Sequence, residues 1–131
     1  MSGGIKPGSF FDVELQDEGK LAIVVRNTKP FGTMEDCQRA FANVDDALRG
    51  IDRSKAALLV DLRAATGRND KEFEATVTPL RRSLLQSFKN CALLVGTVIG
   101  KLQVERHMRE DGLPVLVFLE RDEARRALLA G

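Results

Sequence analysis

The sequence has no tryptophan, no tyrosine and a single histidine, His107. Catalysis through an imidazole base therefore has one candidate, and it stands among Arg106, Met108 and Arg109. That basic setting reads as a solvated surface histidine rather than a poised base. Cysteine is equally sparse: Cys37 and Cys91 are the only two, with no Cys-x-x-Cys and no His-x-x-x-His. No recognisable zinc spacing survives this, so no metal is expected. Each cysteine falls at a core-facing position and reads as a small buried hydrophobe; nothing in the spacing asks for a disulfide. Neither sign of charge dominates, with 20 Lys and Arg against 19 Asp and Glu for a net +1. The electrostatic case for a nucleic-acid partner fails on that balance. The longest apolar runs, around Cys91–Gly100 and Leu113–Leu119, fall far short of the ~20 residues of a membrane span. There is no Walker lysine loop, and the glycines of Gly96-Thr97-Val98-Ile99-Gly100 are wrongly spaced for a dinucleotide loop. No cofactor and no enzymatic activity are expected.

What remains is enough for a core. The chain has 131 residues, 44% of them hydrophobic, which fits one domain burying roughly two-thirds of its unfolded surface. That composition excludes a disordered chain. The opening MSGGIKPGSF has no apolar signal-peptide core, so residues 1–9 read as a flexible tail and the protein as cytoplasmic.

Phe11, Val13 and Leu15 alternate with Asp12, Glu14 and Gln16, the period-2 pattern of a strand with one wet face. A turn at Asp17-Glu18-Gly19-Lys20 leads into Leu21–Val25, giving an antiparallel hairpin. Thr33 then caps a helix whose Met34, Cys37, Phe41, Val44 and Leu48 share one face, and Gly50 ends it. Ala56–Leu62 is apolar without alternation, as expected of a parallel strand covered on both faces. A helix from about Asp70 to Phe88 follows, with Pro79 predicting a kink rather than a break. The pattern repeats with strand Cys91–Val95, helix Val98–Glu110, strand Pro114–Leu119 and helix Asp122–Ala130. The fold class is α/β: a single mostly parallel five-stranded sheet with an antiparallel N-terminal edge strand. Phe41, Leu59, Val60, Phe73, Leu84, Leu93 and Val117 are the expected core.

Sites in such folds gather in the loops at the carboxyl ends of the parallel strands. The loop after the third strand, with Arg63, Thr66, Gly67, Arg68, Asn69 and Asp70, is the first candidate for a partner or ligand surface. Asn69 or Asp70 can equally serve as the cap of the following helix. Gly96 and Thr97 offer backbone donors to an anion at a helix start, with ordinary turn chemistry as the alternative. On the third helix, Val98, Ile99 and Leu102 cluster on one side while Val104 and Met108 point away. Assigning the first group to the core leaves Val104 and Met108 as a surface for a homodimer or another protein.

The element order and the Asp61-Leu62 junction, running from strand through loop to helix, resemble the STAS domain (sulfate transporter and anti-sigma-factor antagonist). The likeness is to the bacterial branch of small stand-alone proteins grouped with STAS and CRAL-TRIO lipid-binding domains. Val117-Phe118-Leu119-Glu120-Arg121-Asp122-Glu123-Ala124 resembles that branch's last strand and acidic helix start. The resemblance runs from Phe10 to Leu129. It implies a non-catalytic protein-interaction module of bacterial signalling or regulation, with the loop end of the sheet as contact surface. Regulatory antagonists of the family carry an Asp-Ser-Ser-Gly-like segment with a phosphorylated serine at the start of the second helix. Here that stretch is Asn69-Asp70-Lys71-Glu72, and Thr66, earlier in the loop, is the nearby hydroxyl. The CRAL-TRIO likeness implies an alternative, a small-ligand or lipid carrier, which needs an apolar cavity of several hundred cubic ångströms. Counting one helix layer, a chain this short has little room for it.

Overall fold

The computed structural model describes residues 10–29, 32–64 and 71–130, except for the side chains of 71–74. The tail at 1–9 lies outside them. Strands β1 (Phe11–Gln16) and β2 (Leu21–Arg26) pair antiparallel with Val13 opposite Val24. The turn between them sets Asp17, Glu18 and Gly19 at φ of 51°, 58° and 85°. Glycine adopts that left-handed backbone without the Cβ penalty the other two carry.

Helix α1 (Met34–Ala47) begins where the Thr33 hydroxyl accepts from the Asp36 amide at 3.0 Å. The chain continues through β3 (Ala57–Asp61), α2 (Lys71–Gln86), β4 (Asn90–Leu94), α3 (Val98–Glu110), β5 (Leu116–Phe118) and α4 (Arg121–Leu129). α2 runs through Pro79 as one helix. The sheet order is β1-β2-β3-β4-β5, with every pair after the first parallel.

Because each parallel strand lies beside its sequence predecessor, right-handed crossovers place their helices on one face. Val44 of α1 and Leu48 at its carboxyl cap, Leu84 and Leu85 of α2 and Met108 of α3 cover Ala22, Val24, Leu58, Val60, Cys91 and Leu93. The alternate residues Leu21, Ile23, Ala57, Leu59, Ala92 and Leu94 face the other way and are covered by Ala124 and Leu128 of α4. This is the physical reason β2, β3 and β4 show no polar alternation. α4 thus adds a layer to the one counted from sequence. Its Arg121 and Arg125 also reach the hairpin, at 3.4 Å from Glu14 and 3.3 Å from Asp17. These solvated pairs orient the helix more than they stabilise it.

Leu59, Val60, Leu84, Leu93 and Val117 are buried, as the sequence predicts. Phe41 is half-buried, edge-on to Phe11 with ring centroids 5.5 Å apart, because β1 leaves it at the margin of the sheet. Phe73 is among the side chains outside the described set.

The orientation of α3 reverses the sequence reading. Met108 is 3% exposed and Val104 packs against the core, whereas Val98, Ile99 and Leu102 are 61%, 71% and 61% exposed. Position along the helix decides this. α3 starts just past the carboxyl end of β4, so its first turns overhang the sheet, and its later turns reach the core. Met108 is therefore a core residue and Val104 a partly buried one packed against the core, so the pair is not the exposed apolar surface read from the sequence.

Candidate functional site at the carboxyl end of the sheet

Asp61 closes β3, between Val25 and Leu94 in the sheet register, and is 6% exposed. Its carboxylate is tied down by the residue two further along. Arg63 donates from Nε and Nη2 at 3.0 and 2.9 Å and from its backbone amide at 3.0 Å. Burial pushes this carboxyl up, but the Arg63 hydrogen bonds and the charges of Arg63 and Arg121 outweigh it and hold it below its ordinary value. Arg63 is therefore an exposed side chain with a fixed role, holding the loop start to the strand end.

Removing that partner has a readable consequence. Arg63→Ala should cost about 1–2 kcal/mol at neutral pH, because a buried carboxylate loses donors while water reaches part of the site. An unfolded aspartate titrates near 3.9. A folded value below that makes the contribution complete above it and lost as the pH falls through the folded value. Urea melts should therefore show the gap between parent and variant closing below about pH 4; a pH-independent gap would contradict the pairing.

The neighbouring connection meets this one. A Cβ on Gly96 would lie 3.9 Å from the Arg63 carbonyl, so the turns after β3 and β4 touch. Thr97 caps α3 through its hydroxyl, which accepts from the Gly100 amide at 2.9 Å. Gly96 and Thr97 thus serve as turn and cap, and one donor an anion would use is already engaged. Of the predicted site residues, the structure brings Arg63, Gly96 and Thr97 together. Thr66, Gly67, Arg68, Asn69 and Asp70 lie outside the described residues.

Sequence reasoning missed the apolar group beside them: Val98 and Ile99 in the first turn of α3 and Leu102 one turn on, all exposed. A signal was present, since apolar residues directly after a cap begin beyond the strand end. His107 is exposed, and among the described residues no cluster of His, Cys, Asp and Glu could hold a metal ion.

Both cysteines are buried, and neither forms a disulfide among the described residues. Cys91 donates its Sγ hydrogen to the Leu85 carbonyl at 2.9 Å, and burial pushes the thiol up to about 12. A thiol reagent at pH ~8 should leave Cys91 unmodified until denaturant is added, as read by peptide mass spectrometry; labelling of the native protein would contradict its burial. At the opposite end of the sheet, a groove of about 320 Å³ is lined by Leu85, Phe88, Cys91, Leu113, Pro114 and Val115 among others. Asn90, at the same strand end, also lines the groove; its amide nitrogen donates to the Leu128 carbonyl at 3.1 Å, and its buried Oδ1 has no hydrogen-bond partner among the described residues.

No protein-family model matches the chain, and no curated protein does. A solved structure does: an uncharacterised protein of the DUF3478 family from Shewanella loihica PV-4, described as having a SpoIIAA-like fold. It superposes with a TM-score of 0.67 at 15% identity, covering 90% of this chain and 91% of that one. At that identity the likeness is one of fold. The chain has the SpoIIAA-like, STAS-like fold its element order suggested.

Among the described residues, no helix is long and apolar enough to cross a membrane.

Proposed function

We propose that this protein is a non-catalytic interaction module of the STAS type, which binds another protein through the carboxyl end of its sheet. The observation that supports this most is the exposed trio Val98, Ile99 and Leu102 beside Arg63, Gly96 and Thr97. A small domain that leaves adjacent large aliphatic side chains in water, at the end where α/β folds place their sites, presents a contact surface there. Binding proceeds without the family's serine switch, because Asn69-Asp70-Lys71-Glu72 offers no hydroxyl.

The carrier reading draws on the groove of about 320 Å³, a volume at the lower bound for small-molecule sites. Such sites add converging polar groups to an apolar lining; the polar lining here is Gln86, Lys89 and Asn90, and the Asn90 amide nitrogen already donates to the Leu128 carbonyl.

The test places a photoreactive benzoyl-phenylalanine at exposed Ala64 in the intact protein, in cells of the native host. A reproducible protein adduct is expected, with no phosphate on Thr66 by phosphopeptide mapping. Absence of any protein adduct from this end of the sheet, or stoichiometric phosphate on Thr66, would overturn the reading.

A further inference from the structure

We infer that the outer ridge of α3 docks an acidic amphipathic helix of a protein partner, an inference that rests on the interaction-module reading above. Val98, Ile99, Leu102, Arg106 and Arg109 follow one another at helical steps that keep them on a single stripe. All five are exposed. The stripe is apolar at its amino end and cationic at its carboxyl end, and spans about 16 Å at the rise of an α-helix. Arg106 keeps only a long contact with Glu110, 4.0 Å between two well-exposed side chains, so its guanidinium can be recruited by a better acceptor.

The order of chemistry along the stripe describes the occupant. A straight, convex ridge fits alongside a second helix, whose apolar residues at steps of three and four meet Val98, Ile99 and Leu102. Carboxylates further along that helix meet Arg106 and Arg109 and fix its direction. A second copy of this chain fits less well. A two-fold pairing centred on Leu102 lays Arg106 of each copy over Val98 of the other. A membrane surface fits less well too. Helices that lie in the interface carry cations flanking the apolar stripe, whereas here Glu105 and Glu110 flank it and the arginines lie in line with it.

The experiment moves the photoreactive residue to position 102 in the intact protein and identifies the adduct by mass spectrometry. The captured segment is then synthesised and titrated by fluorescence anisotropy. The expected adduct is a helical protein segment with carboxylates at one end. Its affinity should fall about tenfold or more for the Arg106→Glu, Arg109→Glu variant and with added salt. Changing the peptide's carboxylates to lysine should restore binding to that variant. The charge-reversed protein should keep the parent's urea midpoint, separating lost docking from lost folding. An adduct with another copy of this chain, comparable loss of binding to phosphatidylglycerol vesicles in place of a peptide, or a peptide indifferent to charge reversal would overturn the inference. An adduct from position 64 without one from position 102 overturns the ridge and leaves the module reading intact. No adduct from either overturns both.

Discussion

Replacing Leu59 by alanine should remove about 3–5 kcal/mol of stability, the upper range for a buried leucine. Leu59 is 0% exposed in the central strand, between Ile23 and Ala92 in register, and α4 closes over it. Its neighbours on that face include Ala57, Ala92 and Ala124, side chains too short to swing into the space, so the cavity persists and its full cost is paid. Phe41→Ala should cost less, about 1–2 kcal/mol, because Phe41 is half in water at the sheet margin. Urea melts with matched m-values measure both. A domain of this size has ~5–15 kcal/mol to lose, so the first variant should unfold at visibly lower denaturant. A Leu59→Ala loss below ~1 kcal/mol would mean that α4 does not cover this face.

Much of the fold is legible in the residues, and the illegible parts share a cause. The hairpin is written in the alternation of Phe11, Val13 and Leu15, and α1 in a Thr33 cap with a single apolar face. Both features are local. The unbroken apolar run at Ala57–Val60 announces a strand covered on both sides, yet it does not say which helix covers the second side. α4 was legible as a helix and illegible as a layer, since Ala124 and Leu128 are the small buried share of a strongly charged segment. The loop-end site was legible from topology alone. Its strongest anchor, the Asp61–Arg63 pair, needs the turn geometry that folds residue 63 back onto residue 61. Phe118 closes that end of the sheet by accepting from the Val95 amide at 3.0 Å, a contact between strands that no periodicity encodes.

The sharpest divergence is α3, and it yields the most decisive substitution. Periodicity divides its apolar residues correctly into Val98, Ile99 and Leu102 against Val104 and Met108, but periodicity has no origin. Which side is inward depends on where the helix begins relative to the strand before it, and α3 begins beyond the end of β4. Met108 is thereby set 3% exposed among the core residues, one of which, Leu113, donates its amide to the Met108 carbonyl at 2.9 Å. Met108→Glu forces a carboxylate into that apolar space, where it must lose its hydration or take up a proton at a cost of several kcal/mol. The variant should unfold or melt at much lower urea, and its residual stability should improve as the pH falls and the new carboxyl is neutralised. Leu102→Glu, six residues earlier and 61% exposed, should change stability by no more than about 0.5 kcal/mol. Had the sequence reading of this helix been right, the two results would be exchanged: Leu102→Glu would destroy the core and Met108→Glu would be tolerated at a surface.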